Sequence, residues 1–188
     1  MSKNEIVRCG WCGTDELYQS YHDNEWGKPV TDDNILFEFL ILESAQAGLS
    51  WITILRKREG YRKAFSDFNY KKIAKYTDQD VERLLEDPGI IRNKLKITST
   101  INNAKKFMEI KKEFGSFYNY LYSFLPQQKP IINKVPALDA VPATTELSDR
   151  ISKDLKKRGI KFFGSTTCYA YMQAVGMVND HLINCSFR

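Results

Sequence analysis

Apolar residues recur along most of the chain at spacings of three and four, which gathers them on one face of a helix. Residues 31–33 offer helix-start side chains before the apolar segment 35–47, and Gly48 follows it as a stop signal. Alternating strand-like segments joined by Asn-Gly turns are missing from the sequence. We therefore predict an all-α fold.

The same signals predict the remaining helices and their connections. One helix should begin after Ser50 and end near Gly60, and Thr77 and Asp80 resemble a capping box for another. A turn at 87–89 precedes a long helix to about residue 114, so residues 78–100 form a predicted helical hairpin. Further helices are expected at 117–125, at 148–158, from a cap at Ser165, and at 181–185. The proline-containing loop 126–145 helps to join two expected helical lobes.

Composition places the chain among globular proteins. Of its 188 residues, 43% are hydrophobic and 27% charged, which suits one domain over residues 1–188. The longest apolar stretch, 35–42, contains Glu38 and is far shorter than the ~20 residues of a membrane span. The first residues lack the apolar segment of a secretion signal. We expect a soluble, cytoplasmic monomer with no membrane partner.

The charge balance is mildly basic, with 28 Lys and Arg against 23 Asp and Glu and a net charge of +5. Such a balance is compatible with a polyanionic partner, but it is also common in proteins that never bind nucleic acid. Two lysine-rich segments, 94–112 and 153–158, are equally typical of solvated helix faces. Charge alone therefore favours DNA or RNA only slightly.

Both histidines of the chain lie near cysteines, in two groups at opposite ends of the sequence. Cys9 and His22 form one pair, and His181 and Cys185 lie four residues apart on the predicted last helix. Two thiolates and two imidazoles make a tetrahedral zinc set, and a closed set of four leaves no position for substrate. The set predicts a structural zinc that joins residues 9–22 to 181–185. Ordinary core cysteines with surface histidines remain an alternative.

The other two cysteines complicate this assignment. Cys9-Gly-Trp-Cys12 is a C-x-x-C motif, which is frequent in zinc and redox sites, so Cys12 could compete with Cys9. Cys168 lies in an apolar helical segment and is interpreted as a packing residue.

Glu43 is a carboxylate on an apolar helix face, which it shares with Leu36, Leu40 and Ala47. An unpaired buried charge costs several kcal/mol, so Glu43 needs a partner. That partner is either an internal cation or backbone group, or a ligand. Glu38, on the side of Asn34, is expected in solvent.

Aromatic side chains concentrate around this segment. All three tryptophans fall within the first 51 residues, and the cluster comprises Trp11, Tyr18, Tyr21, Trp26 and Trp51. Aromatic rings stack on planar bases with ~1–3 kcal/mol each. The cluster predicts a site for a flat ligand, and a plain aromatic mini-core is the alternative. In the predicted hairpin, the Gly89 turn could present backbone N–H groups to a DNA phosphate, which by itself is a weak signal.

Several long strings resemble the type I 3-methyladenine DNA glycosylase family. They are YHDNEWG at 21–27, LESAQAGLSW at 42–51, GIIR at 89–92, LKKRGIKF at 155–162 and VNDH at 178–181. The resemblance extends from Cys9 to Cys185, which is nearly the whole chain. Cys12 departs from the family pattern.

The resemblance implies a helix-hairpin-helix DNA glycosylase fold and excision of 3-methyladenine from double-stranded alkylated DNA. It implies Glu43 as the catalytic carboxylate that contacts the modified base, with Tyr18, Tyr21, Trp26 and Trp51 around it. Gly48 and Leu49 would probe the gap left by the flipped nucleotide, and the hairpin adds Gly89 and Arg92 as DNA contacts. The family's structural zinc ligands correspond to Cys9, His22, His181 and Cys185.

An N3-methylated adenine leaves as a neutral base, so the main tasks of such an enzyme are to flip the nucleotide out of the duplex, to recognise the base and to admit water to the glycosidic bond. The residues after the hairpin offer no clear lyase lysine, which predicts a monofunctional glycosylase. Two alternatives belong to other classes: a non-catalytic zinc-stabilised DNA-binding module, and a redox or metallo-hydrolase centre at Cys9 and Cys12.

Overall fold

Helices make up most of the chain in a computed structural model, which describes residues 6–188. The α-helices of this part are α1 (Glu16–Asn24), α2 (Asp33–Gln46), α3 (Trp51–Ala64), α4 (Tyr70–Ile73), α5 (Asp78–Glu86), α6 (Lys94–Phe114), α7 (Phe117–Tyr122), α8 (Glu146–Lys157) and α9 (Ser165–Ala174). Short 3-10 turns occur at Gly10–Cys12, Ser66–Phe68, Pro126–Gln128 and Leu138–Ala140. The mostly helical prediction is confirmed.

Side-chain caps explain where many of these helices begin. Asp32 is the N-cap of α2, and its carboxylate accepts hydrogen bonds from the backbone N–H groups of Asn34 and Ile35. The predicted capping box of α5 is present, with Thr77 and Asp80 bonding each other's backbone. The N-cap of α9 is Gly164, one residue before the predicted cap, so the helix begins at Ser165 itself.

The predicted end of α3 near Gly60 is wrong, because the helix continues to Ala64. Gly60 lies where α3 meets the turn after α5, and a Cβ there would come within 2.3 Å of the Gly89 carbonyl oxygen. Gly60 therefore lets the backbone of α3 approach the backbone at Gly89 closely, and it does not end the helix.

The predicted last helix at 181–185 is also wrong. The chain instead forms β2 (Val178–Asn179), which pairs in parallel with β1 (Ile131–Ile132) in the proline-containing loop. An isolated bridge between Val135 and Leu182 extends this contact. The Ile183 N–H donates to the Val135 carbonyl oxygen, so a distant segment takes part in the backbone pairing, which the local helical signal could not reveal.

α2 lies at the centre of the core and is buried from Leu36 to Ala45 without interruption. It packs against α3, α6, α7 and α9, so its apolar residues face several directions. The buried side chains around it form a contiguous core. The division into two lobes stays a prediction.

Glu38 is the clearest error about side-chain environment. It is only 7% exposed, not in solvent. Arg58 of α3 approaches one carboxylate oxygen at 2.5 Å and Arg62 approaches the same oxygen at 2.9 Å. α3 thus covers this side of α2 and supplies the compensating charge.

No helix in the described part of the chain is both long and apolar enough to cross a membrane.

Candidate functional site

A cavity of about 360 Å³ opens between the first helices and the C-terminal third of the chain. This size lies within the range of small-molecule sites. Its lining residues are Trp11, Tyr18, Tyr21, Trp26, Glu43, Gln46, Trp51, Leu138, Val141, Ala170, Gln173 and Asp180. All five residues that the sequence proposed for base binding therefore lie at one cavity.

Glu43 reaches this cavity from the last turn of α2. The residue is 4% exposed, and in residues 6–188 no ion pair or hydrogen bond involves its carboxylate. Burial raises the pKa of Glu43 to about 8, because ionisation is unfavourable without a nearby cation. The geometry differs from that of Glu38, whose charge is compensated by arginines. Glu43 is a buried acid suited to a ligand that carries positive charge or N–H donors.

The aromatic residues pack edge to face along one side of the cavity. Trp11 lies 5.0 Å from Tyr18 and 4.9 Å from Trp26 between ring centroids, and Tyr21 lies 5.5 Å from Trp51. The indole N–H groups of Trp11 and Trp51 are buried without a hydrogen-bond partner. Burial, together with the nearby Glu43, raises the pKa of Tyr21 well above its usual value. The rings therefore present apolar surface to a planar molecule in the cavity.

Sequence reasoning left several cavity residues out of the proposed site. Gln46 lies one helical turn after Glu43, so helix spacing alone could have identified it. Gln173 and Asp180 come from the distant C-terminal segment. Asp180 accepts hydrogen bonds from Tyr169 at 2.6 Å, Asn133 at 2.7 Å and Gln173 at 2.8 Å. No local signal indicated this network.

Four buried side chains, one pair from each end of the chain, meet beside the cavity. Cys9, His22, His181 and Cys185, here called the Cys–His cluster, have their ligand atoms within 4.8 Å of one another. Cys185 Sγ lies 3.6 Å from Nε2 of His22 and 3.4 Å from Nδ1 of His181. A tetrahedral zinc with usual bond lengths separates sulfur and nitrogen ligands by about 3.6 Å. The donor set and its spacing fit such an ion.

Outer contacts orient the two imidazoles of the Cys–His cluster. The other ring nitrogen of His22 lies 2.7 Å from the Asp23 carboxylate, and that of His181 lies 3.1 Å from the Trp26 carbonyl oxygen. Carboxylates and carbonyls are the usual partners of metal-binding histidines. The Trp26 and His181 rings are 4.7 Å apart, so the cluster supports one wall of the cavity.

Cys12 lies outside this cluster, because its thiol donates to the Cys9 carbonyl oxygen at 3.1 Å. Burial raises the pKa of Cys12, and it raises the pKa of Cys9 to about 12. A reactive thiol needs a lowered pKa, so the environment argues against a redox centre at this motif. Cys168 is fully buried in α9, as expected of a packing residue.

The loop after α2 lies at a second opening next to Glu43. Gly48 adopts φ +82°, a conformation that favours glycine, and the Leu49 side chain is 39% exposed. This opening is lined by Glu43, Gln46, Ala47, Gly48, Leu49, Thr166, Thr167 and Ala170. The two residues predicted to probe DNA are therefore neighbours of the buried carboxylate.

The α5–α6 hairpin occupies the predicted residues, but backbone N–H groups of its turn already donate to other groups of the protein. The Gly89 N–H donates to the Asp87 carboxylate at 2.7 Å, and the Ile91 N–H donates to the Tyr61 hydroxyl at 3.2 Å. The Gly89 amide is therefore not free for a phosphate. Arg92 is exposed.

A second hairpin, between α8 and α9, has backbone N–H groups that are available to bind a phosphate. The N-cap of α9 is Gly164, which has no side chain to cap the helix, so the first amides of α9 remain available in the described structure. The adjoining groove of about 530 Å³ is lined by residues that include Lys156, Lys161 and Phe162. Thr166 and Thr167, in the first turn of α9, also line the opening beside Leu49.

Comparisons with known proteins agree with this geometry. Residues 11–188 match the family described as methyladenine glycosylase. The chain is 49% identical over 180 residues to DNA-3-methyladenine glycosylase 1 of Escherichia coli (strain K12), covering 96% of both chains. A crystal structure of 3-methyladenine DNA glycosylase I superposes with a TM-score of 0.92 at 48% identity, covering 96% of this chain and 98% of that one.

A tyrosine-to-phenylalanine variant of 3-methyladenine DNA glycosylase I, solved in complex with 3-methyladenine, is also similar. Its TM-score is 0.92 at 36% identity, with 95% of this chain and 96% of that chain covered.

Proposed function

The chain belongs to the methyladenine glycosylase family, and on that premise we propose that it excises N3-methyladenine from alkylated DNA. The reaction is hydrolysis of the N-glycosidic bond in DNA repair. The observation that carries the proposal is Glu43, a buried carboxylate without a protein partner at an aromatic cavity.

The chemistry of the substrate explains why one carboxylate suffices. Methylation at N3 gives the nucleoside a positive charge, so the base leaves as a neutral molecule when the N9–C1′ bond breaks. Its bonding electrons return to the purine, water adds to C1′ of the deoxyribose, and one proton is released to solvent. The products are free 3-methyladenine and an abasic site, and no acid is needed to protonate the base.

Glu43 would act on the charge and on the exocyclic amine of this purine. Its carboxylate accepts a hydrogen bond from the amine, and its negative charge favours the cationic base. Because burial raises the pKa of the free Glu43 side chain to about 8, the cationic substrate provides the charge that keeps it ionised. An uncharged adenine lacks that compensation, which gives a physical basis for selectivity.

Stacking would offset the cost of extracting the nucleotide. Flipping costs a few kcal/mol, least for a damaged base, and base–aromatic stacking returns ~1–3 kcal/mol for each ring. Trp51, which is 8% exposed, and Tyr21 both line the cavity, which supports such contacts. In the described chain no lysine lines the cavity, which supports a monofunctional glycosylase without strand cleavage.

We also propose a structural zinc held by Cys9, His22, His181 and Cys185. When bound, the ion would cross-link the two ends of the chain, with both thiolates deprotonated. The close spacing of the four ligand atoms and the outer contacts of both imidazoles support this assignment. These residues would hold Trp26 at the cavity rather than take part in bond cleavage.

For DNA docking, we propose a helix-hairpin-helix protein that binds as a monomer in the cytoplasm. Leu49 would enter the gap left by the flipped nucleotide. The α8–α9 hairpin, with free amides and nearby lysines, is better suited to a phosphate than the α5–α6 turn. At the α5–α6 turn, Arg92 is an exposed cation that could contact the DNA backbone, and Gly89 would approach that backbone only through van der Waals contact.

The test is incubation with duplex DNA methylated at random, followed by mass identification of the released bases and a strand-nicking assay. We expect free 3-methyladenine and intact strands containing abasic sites. Glu43→Gln should release the base slowly, whereas Glu82→Gln, at an exposed carboxylate of α5, should behave like the parent. DNA binding without base release would instead favour the non-catalytic zinc-stabilised module.

A further inference from the structure

Lys96 makes an unusual contact between α6 and the end of α2. Its ammonium donates to the Ala45 carbonyl oxygen at 2.9 Å and to the Ala47 carbonyl oxygen at 2.8 Å. These partners lie 51 and 49 residues away in sequence. In the part of the chain that the structure describes, Lys96 forms no ion pair with a carboxylate, so these carbonyls are its partners.

The C-terminal carbonyls of a helix lack intrahelical partners and carry a partial negative charge. At the end of α2, the Leu49 N–H donates to the Gln46 carbonyl oxygen at 2.6 Å. Lys96 satisfies the carbonyls on either side of Gln46, at positions 45 and 47. One cation from another helix thus fixes the backbone through which α2 passes into the loop 47–50.

Two groups of the proposed site depend on this backbone. Glu43 lies two residues before Ala45 on the last turns of α2, and Leu49 lies two residues after Ala47. Both line the opening between α2 and the start of α9. Lys96 itself is not among the residues that line the main cavity or this opening.

We propose that Lys96 is a positioning residue for base flipping: by holding the Ala45 and Ala47 carbonyls, it presets the loop that carries Leu49 into the DNA. The inference rests on the proposed function and deepens it. A loop that is already ordered can fill the gap left by the flipped nucleotide without an entropic cost of ordering. This saving matters in a duplex, because the partner strand resists extraction of the base. A base in single-stranded DNA has no partner strand, so its excision should depend little on this loop.

The experiment compares excision of 3-methyladenine from one oligonucleotide, either single-stranded or paired. Lys96→Met keeps an unbranched side chain one atom shorter and removes the donors, and Lys96→Arg restores donors. Lys105→Met, at an exposed lysine on the same helix, controls for loss of charge. Binding of free 3-methyladenine, followed by tryptophan fluorescence, reports on the integrity of the cavity.

We expect Lys96→Met to lower kcat/KM on the duplex by about tenfold or more, since ~1 Å misplacement of a positioned group can cost that much. Its rate on the single strand and its affinity for 3-methyladenine should stay near the parent's, and Lys96→Arg should recover most duplex activity. Equal losses on both substrates, or no loss on the duplex, would overturn the inference. A parent protein that releases the base from neither substrate would instead refute the proposed function.

Discussion

Replacing Glu43 by glutamine should raise the free energy of unfolding relative to the parent's increasingly as the pH rises. Burial raises the pKa of the folded carboxyl from its ordinary 4.5 to about 8. The neutral acid therefore contributes stability that is complete below pH 4.5 and is lost as the pH rises through 8. Glutamine resembles the neutral acid and has no ionisation to suppress.

The magnitude follows from the two pKa values. Each unit between them corresponds to 1.36 kcal/mol, so ionisation lowers the parent's free energy of unfolding by about 2 kcal/mol at pH 6 and about 5 kcal/mol at pH 9. The free energy of unfolding of Glu43→Gln, relative to the parent's, should therefore rise by about 3 kcal/mol over this interval. The constant cost or gain of burying the amide cancels in that difference. In melting temperature, the change amounts to roughly 5–10 °C.

The assay is denaturant unfolding of parent and Glu43→Gln at pH 6, 7, 8 and 9, at one zinc concentration and without DNA or free base. Glu82→Gln, the exposed control, should follow the parent at every pH. The reasoning is refuted if the difference between Glu43→Gln and the parent stays constant or shrinks as the pH rises. Such a result would mean that Glu43 is already ionised in the fold, beside a cation or accessible water.

Three further predictions concern other parts of the site. His181→Ala should lose bound zinc and melt at least about 10 °C lower, because a structural zinc contributes roughly 10 kcal/mol to the stability of small domains. Its control, Cys12→Ser, should keep stoichiometric zinc in elemental analysis. Loss of zinc from Cys12→Ser would contradict the ligand set. Trp51→Leu should weaken binding of free 3-methyladenine by ~1–3 kcal/mol in a fluorescence or calorimetric titration, and an unchanged affinity would exclude stacking on this ring. Lys161→Ala should reduce the slope of log K for duplex binding against log salt concentration by about one phosphate contact, and Arg92→Ala should reduce it less. A larger reduction for Arg92→Ala than for Lys161→Ala would favour the α5–α6 turn as the contact to the DNA backbone.

Helix positions were predictable because caps and apolar spacing are local properties of the sequence. The capping box at Thr77 and Asp80 and the N-cap at Asp32 are examples. The failures occur where a distant segment determines the conformation. Gly60 continues α3 because the Gly89 turn packs on it, and the segment after α9 pairs with β1 instead of forming a helix.

The two glutamates of α2 illustrate how far the candidate site could be predicted. Periodicity places Glu43 on the apolar side, and the structure shows it at the cavity. The same periodicity assigned Glu38 to solvent, because nothing in the local pattern indicates that α3 covers it with Arg58. The Asp180 network was missed for the same reason, since its donors come from separate segments.

The central claim is that Glu43 receives the modified base inside the aromatic cavity. The most direct measurement is a crystal structure of the protein soaked with free 3-methyladenine. We predict the purine between the rings of the cavity, with its exocyclic amine within hydrogen-bonding distance of the Glu43 carboxylate. A purine bound elsewhere, or one inside the cavity whose amine avoids Glu43, would contradict the account.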